Sequence, residues 1–387
     1  MGYSLKTYSV IISRALYALN WFDIAPGLVY ISSDLNLRVV DLGIITTFFY
    51  LGLAIFQLVG GAMASRIGAK KVAFLGLMIL GLGGIFSGIS TTFPELAAAR
   101  FLAGTGSALF FSPGLTVLRE VSPPETYSFQ VGLYNGAFNL GGGIGAFGWV
   151  FVDKVIGWRL GLITGGLMVV VAAVENAIVL GREKEERSEG RELASRMLDV
   201  VRDRVLWILP VATAVSMFAE TVGGQFLVFY AENYLKLPKS EAGLTDGLFL
   251  LLGFIGGVVG GRMLSSERQR GWFTYFILIL TGLSFSLISI AENFQTLLVF
   301  TSIAGFSLVS GFTVLYIESL KSINYRPIIP FALAFVNCLS IAIGSVSPYF
   351  FTFLLDKVNS HSGWLVLGVI GLALIPLLYF SKRNYNH

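Results

Sequence analysis

Apolar runs, each long enough to cross a bilayer at about 20 residues per helix, recur along the chain between short polar breaks. The pattern predicts twelve helices. Spans 1 to 6 cover 7–31, 42–64, 72–91, 95–118, 127–151 and 158–180. Spans 7 to 12 cover 205–231, 241–264, 272–291, 294–317, 327–354 and 363–381. Between the two sets lies 181–204, the one long charged stretch, with seven basic and seven acidic residues. Its second part places Leu193, Met197, Val200 and Val201 on one helical face, with Arg191, Arg196 and Arg202 elsewhere around it. A helix of that kind can lie on a membrane surface or form a solvated linker. The predicted organisation is an N-terminal six-helix bundle (1–180), a cytoplasmic linker (181–204) and a C-terminal six-helix bundle (205–387).

Lys and Arg set the orientation, because cytoplasmic loops carry an excess of both. With the N-terminus inside, the inner segments hold 19 of the 27 basic residues and the outer loops 6, leaving Arg14 and Arg100 within spans. Both termini and the linker are therefore expected in the cytoplasm, with the chain in the cell membrane. The first apolar segment is longer than a signal-peptide core and carries Arg14 and Asp23, so it reads as a retained span.

Composition agrees with this layout. The 387 residues are 55% hydrophobic and 13% charged, against about 25% charged in soluble domains, and mean hydropathy is +0.76. An average soluble enzyme, a disordered chain and a nucleic-acid-binding module are excluded, and the net charge of +4 reflects inner-loop Lys and Arg. Cys338 is the one cysteine, and His361 and His387 are the two histidines. That inventory gives no basis for an intrachain disulfide or a Cys- or His-based metal centre.

The halves repeat. Sliding the chain by 200 positions aligns 20–66 with 220–266 without a gap and gives 12 identities in 47 positions. Among them are Tyr30 with Tyr230, Phe49 with Phe249, and Val59-Gly60-Gly61 with Val259-Gly260-Gly261. Further on, Asp153-Lys154-Val155 before Gly157-Trp158 echoes Asp356-Lys357-Val358 before Gly363-Trp364. Six spans per unit give both halves the same orientation, the arrangement of parallel-repeat transporters.

Motifs add a family resemblance. After span 2 stands Gly61-Ala62-Met63-Ala64-Ser65-Arg66-Ile67-Gly68-Ala69-Lys70-Lys71, which resembles the first cytoplasmic loop signature of the major facilitator superfamily. Ser65 replaces the signature's Asp and Ala69 replaces an Arg. Arg100-Phe101-Leu102-Ala103-Gly104-Thr105-Gly106-Ser107-Ala108 is similar to the family's R-x-x-x-G-x-G-x-A stretch in span 4, and Gly157-Trp158-Arg159 before span 6 is a common family feature. The resemblance implies an all-α fold of two pseudo-symmetric six-helix bundles that rock about a central site lined by spans 1, 4, 7 and 10. It also implies a latch on the cytoplasmic side, which Ser65 deprives of its charge while Arg66, Lys70 and Lys71 remain. A literal G-x-G-x-x-G, Gly143 to Gly148, has no preceding strand and reads as helix packing, as do Gly141 with Gly145. Span 5 lacks the proline of the family's antiporter motif, which favours uptake over efflux.

Ionisable residues inside spans cost about 2.5–3.5 kcal/mol each on insertion scales, so they face a cavity or a partner. Asp23 and Arg100 fall at similar depths and could pair. Asp23 could exchange a proton while Arg100 tunes it, or the two could simply hold helices together. Glu220 lies mid-span at the position matching Asn20 and is the second proton-coupling candidate, with a packing carboxyl as its alternative. Arg14 could bind an anion or snorkel to headgroups. Tyr17, Asn20, Trp21, Gln225, Asn135, Asn139 and Asn337, with Arg14 and Arg100, form the predicted substrate-binding set. Glu175, Asp246 and Glu318, near span ends, read as water-accessible. The expected function is secondary active transport of a small solute, such as an organic anion, by proton symport. Proton-driven efflux is the alternative. A membrane enzyme or a non-transporting receptor explains the repeat less well. The expected partners are a small-molecule substrate and the bilayer, with no cofactor beyond a proton gradient, no metal and no nucleic acid, in a functional monomer.

Overall fold

A computed structural model describes residues 2–123, 127–181, 197–265, 267–323, 329–359 and 361–383. Among them the regular elements are all helical. Nine helices are long and apolar enough to cross a membrane, and a tenth span is the pair Arg204–Ala212 and Ala214–Asn233, bent by 51°. One of the nine, Leu133–Leu180, has 48 residues, about 70 Å at about 1.5 Å per residue and more than twice the bilayer core. It is interrupted by Gly157 at φ 81°, a left-handed conformation that glycine adopts without a Cβ clash. Spans 5 and 6 therefore meet at Gly157. Span 1, Gly2–Phe22 followed by Ile24–Asp34, is helical but, carrying Arg14 and Asp23, is not among the helices that pass on length and apolarity; counted with them it makes the predicted twelve.

The predicted boundaries shift where helices break. Span 1 is two helices, not one run over 7–31, with Asp23 at the junction. Pro26 explains the break, since its ring clashes with the carbonyl four residues back, at Phe22. Span 7 breaks at Thr213 and passes through a wider π turn at Ala219–Gly223. Span 11 breaks between Ile329–Ser345 and Ser347–Lys357, where Pro348 opens the second helix. The loop after span 2 turns on Gly68, at φ 101°. The side chain of Ser65 and most of the linker, including Leu193, Arg191 and Arg196, lie outside the described residues; within the linker's end, residues 197–202 are helical.

The chain divides into two compact units, Met1–Ser188 and Glu189–His387. In the first, spans 2 and 4 approach until a Cβ on Gly104 would overlap the Phe49 carbonyl. In the second, a Cβ on Gly305 would overlap the Phe249 carbonyl in the same way. Gly141 and Gly145 of span 5 lie against the backbone of Ala15 and Leu19 in span 1, the i,i+4 small-residue contact by which helices pack in lipid. The G-x-G-x-x-G run is thus continuous helix with a packing role.

Gly157-Trp158-Arg159 joins three spans at one end of the first unit. The Arg159 guanidinium donates to Asp34 at 3.0 Å and to the carbonyls of Gly88 (3.4 Å) and Ser90. Trp158 Nε1 donates to the same Asp34 carboxylate at 3.3 Å. In the second unit Trp364 sits instead in an aromatic cluster with Tyr230, Phe285 and Phe351, at ring distances of 5.3, 5.2 and 4.6 Å.

Candidate functional site

Span 1 carries Arg14, Tyr17, Trp21 and their neighbours at three- and four-residue spacing, which puts them on one face. That face is buried. Arg14 is 4% exposed, so it does not snorkel to headgroups. Its guanidinium lies over four aromatic rings, those of Tyr17 and Phe138 (4.5 Å each), Phe111 (4.9 Å) and Tyr134 (5.1 Å). Among the described residues, Nε and Nη1 of Arg14 have no hydrogen-bond partner. The Tyr17 hydroxyl is in electrostatic range of Arg14 and Ser107 without a well-formed hydrogen bond. The rings attract the cation through their faces but leave its in-plane N–H groups unsatisfied, and those are the groups a planar anion takes.

Further along span 1, Asp23 is fully buried at the helix junction. Its Oδ2 accepts a hydrogen bond from Asn20 Nδ2 at 3.0 Å, while its Oδ1 has no hydrogen-bond partner among the described residues. Arg100 is buried with its guanidinium 4.7 Å from the centre of the Phe49 ring, and its Nη1 is also unsatisfied. The two charges act on each other. The expected pairing is therefore electrostatic, without a hydrogen-bonded bridge among the described atoms. Trp21 Nε1 donates to Tyr50 at 3.2 Å, which fixes the aromatic wall beside Arg100.

Asp153 also acts electrostatically on Asp23. The sequence pattern places Asp153 in a polar loop beside Lys154, yet it is 3% exposed. Both carboxylates rest on span 6. A Cβ on Gly165 would meet an Asp23 oxygen, and one on Gly161 would meet an Asp153 oxygen. The missed signal was that glycine pair, spaced by one turn opposite two acids.

The other expected residues are dispersed. Glu220 is half-buried in the π turn of span 7, and Gln225 is buried one turn later. Asn337 accepts from the Tyr316 hydroxyl at 2.8 Å. Asn135 is exposed, and its carbonyl accepts from Asn139 at 3.3 Å. In the Gly61–Lys71 motif, Gly61 has open space beside it, Arg66 and Lys71 are exposed, and Lys70 is half-buried. The water-accessible reading fails for two carboxyls. Asp246 is fully buried with no hydrogen-bond partner on either oxygen among the described residues, and Glu318 is buried and paired with Lys321 at 2.7 Å. Gln57, buried with both amide atoms unsatisfied among the described residues, was not singled out in the sequence because a lone Gln in an apolar run carries no pattern. Among the described residues no group of three or more His, Cys, Asp and Glu is arranged to hold a metal ion.

Twelve helical passes in two repeated sets, with unsatisfied charges buried inside the spans, define a multi-pass membrane transporter. The chain belongs to the Major Facilitator Superfamily, whose model matches residues 10–345. It is similar to the "Probable nitrate transporter NarT" of Staphylococcus haemolyticus, 27% identical over 67% of this chain and 66% of that protein. It is 23% identical to the "Nitrite extrusion protein" of Bacillus subtilis, over 95% of this chain and 92% of that protein. Among solved structures, a bacterial homolog of the human lysosomal transporter Spinster superposes with a TM-score of 0.79 at 15% identity, covering 98% of this chain and 97% of that one. A variant of the nucleoside transporter NupG superposes with a TM-score of 0.76 at 12% identity, over 97% and 99%. Family and relatives are transporters, not enzymes.

Proposed function

We propose that the protein is a secondary active transporter that carries a small monovalent anion by alternating access, driven by proton symport. The observation that carries this reading is Arg14, a buried guanidinium ringed by four aromatic faces with two nitrogens unsatisfied. A guanidinium is planar, weakly hydrated and always charged, so it suits a flat anion of similar hydration. Arg100 supplies a second cation in the same unit. Nitrate and nitrite are planar, and relatives are named for both. Asp23 and Glu220 are the proton-coupling carboxyls in this scheme, and Tyr17, Asn20, Trp21, Gln225, Asn135, Asn139 and Asn337 the polar binding set. The two six-span bundles, 1–180 and 205–387, are the moving bodies joined by 181–204. The protein acts as a monomer in the cell membrane with both termini cytoplasmic. A second reading, efflux, is supported by the name of the Bacillus relative.

Transport by full-length protein in oriented proteoliposomes tests both. With an imposed pH gradient, wild type is expected to accumulate labelled nitrate or nitrite in the direction of proton flow. Accumulation against proton flow selects efflux. Arg14→Ala should abolish uptake, and Asp23→Asn with Glu220→Gln should uncouple it from the gradient. Undiminished proton-driven transport in that double variant sinks the coupling scheme.

A further inference from the structure

The relation of Asp23 to Asp153 is more specific than shared burial. Span 6 presents Gly161 and Gly165 four residues apart, about 6 Å along a helix. Asp153 stands over the first and Asp23 over the second. Span 1 repeats the spacing, since Gly27, four residues past Asp23, lies with its Cβ position 3.3 Å from Asp153 Oδ2. The two carboxylates therefore lie one helical turn apart along a track between spans 1 and 6, which the glycines leave bare. Serial placement of this kind is the arrangement used to pass protons through membrane interiors.

The track leads to an opening. The same position on Gly27 is 3.5 Å from Trp158 Cβ. Trp158 lines an open cleft of about 580 Å³ with Tyr30, Ser33, Asp34 and Arg159. Asp153 thus lies between this cleft and Asp23. At the far end of the track, Asp23 presents Oδ2, which accepts from Asn20, while its Oδ1 and Arg100 Nη1 have no hydrogen-bond partner among the described residues. The charges that act on Asp23 are Arg100 and Asp153. A proton arriving on one carboxyl weakens the repulsion it exerts on the other, so the two do not load independently.

We propose that Asp153 is a proton-relay carboxyl, carrying protons between the Trp158 cleft and Asp23. In the loading direction a proton leaves water in the cleft and binds an Asp153 oxygen. It then moves to the Asp23 carboxylate, whose Oδ2 faces the track, and Asp153 returns to carboxylate. The inference rests on the reading that Asp23 exchanges a proton.

The test measures that exchange directly. Purified full-length protein in liposomes is studied by infrared difference spectroscopy, with the Asp23 carboxylic-acid band assigned by its loss in Asp23→Asn. Its hydrogen–deuterium exchange rate is followed in wild type, Asp153→Asn and Asp153→Glu. Exchange at Asp23 is expected to slow at least tenfold in Asp153→Asn and to recover in Asp153→Glu, which restores a carboxyl. A residue that merely fills space leaves the rate unchanged. Wild-type exchange in Asp153→Asn overturns the relay while leaving Asp23 as a proton site. Absence of any exchangeable Asp23 band in wild type overturns the relay together with the coupling role of Asp23. A misfolded Asn variant is distinguished by the Glu variant, whose slow exchange despite wild-type thermal stability also counts against the relay.

Discussion

The two units share a scaffold and differ in charge. Phe49 and Gly104 in the first correspond to Phe249 and Gly305 in the second, and each pair makes the same backbone approach. Both units also interrupt their first span, at Asp23 in the first and at Thr213 and the π turn Ala219–Gly223 in the second. The buried charges do not repeat. At the repeat offset Arg14 faces Ala214 and Asp23 faces Gly223. At the offset fixed by the glycines, Arg100 corresponds to Thr301, whose hydroxyl bonds its own helix at 2.8 Å. Repeated positions therefore report packing, while among the described residues the buried arginines, Arg14 and Arg100, lie in the first unit and the second buries carboxyls, Asp246 and Glu318, at positions without a charged counterpart.

The hardest test of that division strikes the shared scaffold. Gly104→Leu and Gly305→Leu should each cost about 3 kcal/mol or more, because the new side chain meets main chain that cannot rotate away. Both variants are expected to lower the thermal unfolding temperature of detergent-purified protein to a similar degree. If only one does, the two approaches are not equivalent. Next in size is Arg14→Lys. It keeps the charge but gives up the flat guanidinium that the rings stack on. Anion affinity, measured by concentration dependence of initial uptake, should weaken at least tenfold, about 1.4 kcal/mol. Ala214→Ser, the counterpart in the second unit, should leave affinity unaltered.

The scaffold was legible in the sequence because its signals are periodic. Apolar run length, loop charge and matched glycines each recur, and the breaks at Gly68 and Gly157 fall on residues that permit positive φ. Arg14, Asp23 and Arg100 stood out because charge inside an apolar run is rare. Asp153 was hidden by its neighbours. Lys154 beside it and the echo in Asp356-Lys357 read as a loop, yet Asp356 pairs with Lys357 at 3.0 Å and stays partly exposed while Asp153 is buried. Burial at a span end depends on how neighbouring helices are placed, which no local pattern encodes. Asp246 was misread for the same reason, being close to a helix start in sequence but enclosed in the fold.

The Asp153 and Asp356 pair turns that difference into a smaller effect. Lys357→Ala removes a bridge between partly exposed side chains, worth about 0–1 kcal/mol at a surface. It should scarcely move the unfolding temperature or the transport rate, whereas Asp153→Asn alters proton exchange. A Lys357→Ala variant with clearly impaired transport would show that the echo is functional in both halves.

The smallest effect is expected at Asp246. Removing a buried group normally costs the hydrogen bonds it made and leaves its partners unsatisfied. Among the described residues Asp246 makes none through either oxygen, and it is fully buried. Asp246→Asn is nearly isosteric, so packing is retained and no partner is stranded. The unfolding temperature should therefore stay level or rise, in contrast to Glu318→Gln, which strands Lys321 from its 2.7 Å bridge. A large loss of stability in Asp246→Asn would mean that the carboxyl has a partner in the membrane-embedded protein, as Glu318 has in Lys321.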